Sequence, residues 1–344
     1  MKVLHCVKHS LVRYTPGRIA AYWGRYTEHQ GQAVALRRGS PNNIGNHFTD
    51  TLNPYGYYCV SGASKAVLRR MVNEADVIHC HDDAYPYLIE RRFGMSIDGK
   101  VLVYHAHIGD LPMRLFHKNR KYTWDDRVKH VTITNGYGHL FDEDEVRSKG
   151  KHKWGRLPDI LDLHHPAYRP EPELRKPINK GRVQVVYTYS NNREGNKLNA
   201  KRPVGHRKLM TSPTHIPGVK FTMVTNRPFE EAMAIKKKAH IVLEEVFTPY
   251  LHLSALEGAA VGAMVLTRSG AYVRKELSKY LGAPEKEWPF YQCTERNLRE
   301  VLTMLAKNRD MVVEWGQKAR NWMLKYYQPA ALLKLYEEFY GRNE

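Results

Sequence analysis

The stretch from Ala239 to Tyr272, AHIVLEEVFTPYLHLSALEGAAVGAMVLTRSGAY, constrains this chain more than any other. It reads as an apolar strand over His240–Leu243, a loop of acids and aromatics, a helix of small residues, and a second apolar strand over Ala263–Thr267. That order is half of a parallel α/β sheet, in which ligands bind at the carboxyl ends of strands and the amino ends of helices. Gly258, Ala259, Ala260 and Gly262 let the helix backbone lie close to the sheet, and Gly262 ends it. Its start is open to two readings. Thr248-Pro249 offers an N-cap and first residue, while Ser254 to Glu257 fits a capping box.

A chain of 344 residues exceeds a single core, so two domains are expected. The balance of 54 Lys and Arg against 35 Asp and Glu leaves +19, which favours a polyanionic partner: nucleic acid, an anionic membrane surface or a phosphorylated substrate. Cys6, Cys59, Cys80 and Cys293 are scattered without C-x-x-C spacing, which fits a reduced compartment. The opening MKVLHCVKHSLVR lacks the apolar core and cleavage site of a signal peptide, and no apolar run approaches the roughly 20 residues of a membrane span. A cytoplasmic protein without a transmembrane segment is expected; for a phage-encoded chain, that is the bacterial host cytoplasm.

Other elements follow the same alternation. Val3–Val7 opens as a buried strand, but no G-x-G-x-x-G follows it, so a dinucleotide cofactor is not expected. Arg18–Gln30 has helical spacing, Ala33–Leu36 reads as a strand, Pro54–Ser61 as turns, and Ala63–Asn73 as a basic amphipathic helix. Asp76–His81, Lys100–His107 and Val131–Thr134 are further strands. Leu157–Pro177 reads as a proline-rich linker. Strands then restart over Arg182–Tyr189 and Val219–Val224, with helices over Pro228–Lys238, Leu298–Leu305, Met311–Tyr327 and Pro329–Tyr340.

The run Ser254-Ala-Leu-Glu257-Gly-Ala-Ala-Val-Gly262-Ala-Met-Val-Leu266 resembles the nucleotide-sugar segment of GT-B glycosyltransferases, the broad group of families 1 and 4. Asp76–His81 and the C-terminal Arg320–Pro329 wording are similar to that group as well. The resemblance implies two Rossmann-like α/β domains facing a central cleft: an acceptor-side domain over 1–168, a nucleotide-sugar domain over 169–325, and a C-terminal helix over 326–344 packing back on the first. By position Glu257 would bind the nucleotide ribose. Pro249 stands where many members have a second glutamate, leaving Glu244 or Glu245 to share its work. Ser254 and Thr248 would complete the donor pocket, and Arg193, Lys197 and Lys201, within a basic loop, would hold the diphosphate. The donor implied is a UDP-sugar, with no cofactor or metal required and retention of anomeric configuration.

His105 and His107 lie two apart at a strand end and point the same way if the strand continues through them. The resemblance puts a histidine here beside the reacting centre; His107 is preferred, because it forms H-x-x-D with Asp110, a carboxylate able to orient an imidazole or accept a proton. A rival reading joins His79, His81, His105 and His107, with Asp82 and Asp83, in a Zn²⁺ or Fe²⁺ site. Basic and aromatic residues alternate over Arg114, Lys118, Arg120, Lys121 and Trp124, and again over Lys151, Lys153 and Trp154. That mixture suits phosphate contacts and base stacking, or else solvated loops over buried aromatics. Together with the charge it points to nucleic acid, and a resemblance to phage DNA-modifying glycosyltransferases of this fold implies DNA bearing a hydroxylated base as acceptor. A peripheral envelope-glycan transferase and a non-catalytic nucleic-acid-binding protein are the alternatives.

Overall fold

The computed structural model describes residues 1–7, 15–36, 59–61, 65–81, 86–106, 127–133, 153–175, 177–189, 216–225, 227–244, 246 and 251–341. Contacts divide the chain into two compact units, Met1–Ile160 with Pro329–Glu344, and Leu161–Gln328. The first contains β1 (Lys2–Val7), α1 (Thr15–Tyr26), β2 (Gln30–Ala35), β3 (Cys59–Ser61), α2 (Lys65–Glu74), β4 (Val77–His81), α3 (Pro86–Phe93), β5 (Val101–Ala106), β6 (Val128–Ile133) and β7 (Lys153–Arg156). The second contains β8 (Val183–Tyr189), β9 (Val219–Thr225), α4 (Phe229–Lys237), β10 (Ile241–Leu243), α5 (Leu253–Ala260), β11 (Met264–Thr267), α6 (Ala271–Leu281), β12 (Tyr291–Gln292), α7 (Leu298–Lys307) and α8 (Arg309–Tyr326). The last helix, α9 (Pro329–Phe339), belongs to the first unit.

Among the described residues the first unit holds a seven-stranded parallel sheet in the order β3-β2-β1-β4-β5-β6-β7. Strand alternation sorts its two faces. Leu4, Cys6, Ile78, Cys80, Leu102 and Tyr104 join Leu68, Met71 and Val72 of α2 and Ile89 of α3 in one apolar cluster. On the other face, register sets His5 beside His79, His81 beside His105, and His130 beside Val103. Aromatic rings of α1 and the α9 segment cover this face: Tyr340 meets His79 at 5.7 Å, Phe339 meets His130 at 5.4 Å, and Trp23 meets Tyr340 at 6.0 Å between ring centres. Gly155 is required beneath Phe339, whose ring would lie 2.5 Å from any added Cβ.

The second unit holds a five-stranded parallel sheet in the order β12-β11-β10-β8-β9. Val183, Val185, Ile241, Leu243, Met264 and Leu266 pack with Leu302, Leu305 and Val312 of α7 and α8. On the other side α5 lies close to β10, and a Cβ on Gly258 would sit 2.8 Å from Val242 Cβ. Gly262 ends the turn after α5 at φ +75°, a conformation only glycine adopts cheaply.

Several expectations change in detail. Cys59–Ser61 forms the edge strand β3 rather than part of a turn, and Lys153–Arg156 forms the edge strand β7 beside β6 rather than a loop. Edge pairing is non-local, so short segments of mixed polarity carry little sign of it. The Leu157–Pro177 segment is not uniformly exposed. Leu157, Ile160, Leu161 and Leu163 are buried, and its proline-rich part forms 3-10 turns.

Candidate functional site

In the second sheet β8 and β10 are neighbours, and the chain leaving β8 goes to β9 on one side while the chain leaving β10 goes to β11 on the other. Such a switch point opens a crevice at the carboxyl ends of the two strands, where open α/β sheets bind ligands. Thr188 is the penultimate residue of β8, Glu244 directly follows β10, and Thr267 ends β11. The helix α5 begins at this same edge, with Ser254 as its second residue and Glu257 as its fifth.

Two buried carboxylates organise the polar groups there. Glu257, 8% exposed, accepts a hydrogen bond from Lys236 Nζ at 2.6 Å, and Lys236 itself is 2% exposed. The same ammonium donates to Ser254 Oγ at 3.1 Å, and Ser254 shares a hydroxyl hydrogen bond with Thr188 at 2.5 Å. Glu244 accepts from Thr267 Oγ1 at 2.8 Å and pairs with His252 Nδ1 at 2.5 Å. Charge-assisted bonds of this kind are stronger than neutral ones, and burial raises the penalty for breaking them.

The helix starts at Leu253 with His252 as N-cap, and no side chain caps it. Ser254 therefore does not have the capping role expected of it. Ser254 lies inside the first turn and bonds to Lys236 and Thr188, while Glu257 bonds to Lys236 instead of closing a capping box. At the other end two guanidinium groups take up the last carbonyls. Arg320 donates to Ala260 O at 2.7 Å, and Arg175 donates to Gly262 O at 2.8 Å and to Val261 O. Burial pulls both guanidinium pKa values below their ordinary range. Cations at the carboxyl end complement the helix dipole, whose positive end points to the sheet edge where the carboxylates gather.

Of the residues expected to bind a donor, Glu257, Ser254 and Glu244 come together at this edge. Thr248, Glu245, Arg193, Lys197 and Lys201 lie outside the described residues, as do His107, Asp110, Arg114, Lys118, Arg120, Lys121, Trp124 and Lys151. Lys153 and Trp154 pair through their backbone with His130 and Val131. His105 is fully buried on β5, with Nδ1 3.1 Å from His79 Nε2. The rival histidine reading also gains a residue, because His5 joins His79 and His81, and His5 Nδ1 lies 3.0 Å from His81 Nε2. Sequence reasoning missed Lys236, His252, Thr188 and Thr267. Lys236 was hidden within a Lys-Lys-Lys run that reads as a solvated helix end, although its place one helix before the acidic strand end was a usable signal.

No family model and no curated protein matches the chain. Solved structures do. HepE of Anabaena, solved in complex with UDP and glucose, is similar over 98% of each chain at 13% identity, with a TM-score of 0.63. Sucrose-phosphate synthase of Thermosynechococcus elongatus matches over 98% of each chain at 10% identity and a TM-score of 0.58. A glycosyltransferase from Rickettsia africae matches over 98% of this chain and 97% of its own at 11% identity and a TM-score of 0.54. The chain has the two-sheet α/β fold of these glycosyltransferases, the GT-B fold.

Proposed function

We propose that this chain is a glycosyltransferase that takes its sugar from a UDP-sugar bound at the carboxyl edge of the second sheet. The observation that carries the reading is the pair of buried glutamates at the switch point, each held by its own partners, on a fold whose solved examples include UDP complexes. Glu257 binds the ribose hydroxyls, and Lys236 and Ser254 hold it in place. Glu244, braced by His252 and Thr267, shapes the neighbouring side of the pocket. The departing diphosphate meets the amino end of α5 and the cations Arg193, Lys197 and Lys201. Preorganised positive charge of this kind is commonly the largest catalytic contribution where charge develops on a leaving group.

The acceptor chemistry belongs to the first unit in this proposal, with His107 and Asp110 beside the reacting hydroxyl; His105, fully buried on β5, stands behind them. The reaction retains configuration and needs no metal at the reacting centre. The acceptor is DNA carrying a hydroxylated base, a reading supported by the net charge of +19 and by the basic and aromatic run from Arg114 to Trp124. Labelled sugar from a panel of UDP-sugars should pass onto DNA containing hydroxymethylated pyrimidines and not onto unmodified DNA. DNA affinity should fall by orders of magnitude between roughly 50 and 200 mM salt. Transfer to a lipid or oligosaccharide without DNA binding at low salt would overturn the acceptor assignment and leave the donor assignment standing.

A further inference from the structure

The imidazole layer of the first sheet has no role in the donor site. His5, His79, His81 and His105 are all 2% exposed or less, and they stand on three neighbouring strands of one sheet face. His79 and His81 stack at 4.4 Å between ring centres with their planes 7° apart. Burying four imidazoles costs solvation that hydrophobic side chains would not forfeit, and hydrogen bonds among the rings and to Tyr340 offset part of that cost. One nitrogen from each of His5, His79 and His81 lies within 4.8 Å of the others.

We infer that His5, His79 and His81 form a binding site for a zinc ion. Zinc binds imidazole nitrogen at about 2.0–2.1 Å, so tetrahedral ligands stand about 3.3 Å apart. The His5 Nδ1 to His81 Nε2 separation of 3.0 Å is already near that spacing. The stacked His79 and His81 rings aim their lone pairs along nearly parallel lines, so one ring must turn about its Cβ–Cγ bond as the ion binds. A set of neutral nitrogens selects zinc, copper or nickel and rejects magnesium and calcium, which require oxygen. Each ring lends one lone pair and keeps its N–H on the other nitrogen, so no proton is lost overall. The hydroxyl of Tyr340 lies 2.8 Å from His79 Nδ1 and serves as the outer partner that fixes that ring while Nε2 takes the ion. The ion thereby ties β1 and β4 to the C-terminal segment and acts structurally, apart from the transfer reaction.

The test uses untagged full-length protein stripped with a chelator and titrated with Co²⁺ and then Zn²⁺. The expected result is one ion per chain, visible absorption of tetrahedral nitrogen-ligated Co²⁺, its displacement by Zn²⁺, and a melting temperature that rises with saturation. His5→Gln and His81→Gln should each weaken Zn²⁺ binding at least roughly 10-fold, and Tyr340→Phe by about 10-fold. His164→Gln, at an exposed histidine, should leave binding unchanged. No stoichiometric uptake by the wild type, octahedral Co²⁺ bands, or uptake indifferent to His5→Gln and His81→Gln would overturn the proposal. Should a variant fail to fold by circular dichroism, the wild-type Co²⁺ spectrum alone decides.

Discussion

The two sheets bury polar side chains in opposite ways. In the second sheet they sit at the carboxyl edge and are paired: Lys236 with Glu257 as an ion pair, and His252 with Glu244 through a hydrogen bond. In the first sheet they are imidazoles on a covered face, running from within β1 and β4 to the end of β4, and bonded to one another and to Tyr340. Paired charges at a switch point suit a polar ligand that arrives and leaves. A sealed layer of nitrogens suits a permanent structural role. The difference shows that buried polarity alone does not mark an active site; the partners it is given decide.

The largest expected effect tests the charged half of that contrast. Lys236→Ala leaves Glu257 without the ammonium that compensates it and should cost about 3–5 kcal/mol of stability, read from the shift of a urea unfolding curve. A loss below about 1 kcal/mol would put the pair in the class of exposed ion pairs and remove the contrast. Next comes Gly258→Ala, which forces a methyl against Val242 and should cost about 1–3 kcal/mol together with a drop in UDP affinity, because α5 must shift off the sheet. Equal UDP affinity would separate the helix position from the donor site.

Tyr340→Phe removes one hydrogen bond from the imidazole layer and should cost about 1 kcal/mol in the metal-free protein while leaving UDP affinity untouched. The smallest effect concerns pH. Burial pushes the Cys293 thiol up to about 12. A raised folded value means the thiol keeps its proton in the native chain while the unfolded chain releases it near the ordinary value of about 8.5. The contribution is therefore whole below about pH 8.5 and is lost as pH climbs towards 12. Native Cys293 should resist a thiol reagent at pH 8, and mass spectrometry of the trapped protein would detect any labelling.

The helix α5 was legible because small residues, a closing glycine and flanking apolar strands are local signals, and Glu257, Ser254 and Glu244 came with it. Its N-cap was not, since Thr248, Ser254 and His252 all stand near the start and only packing chooses among them. Lys236 could not be told from Lys237 and Lys238 by pattern. Lys236 and Lys237 are buried and Lys238 is exposed, a sorting set by what α4 packs against. In the first unit the His79–His81 spacing announced a shared face, but His5 joins it through the register of β1 against β4, which no local pattern encodes.

The central claim is that the carboxyl edge of the second sheet is a nucleotide-sugar site centred on Glu257. Calorimetric titration of UDP into the wild type, Glu257→Ala and His81→Gln addresses it directly. The account predicts saturable binding by the wild type, a loss of about 1–3 kcal/mol in Glu257→Ala with the fold intact, and no change in His81→Gln. Absence of UDP binding by the wild type, or equal binding by Glu257→Ala, would contradict it.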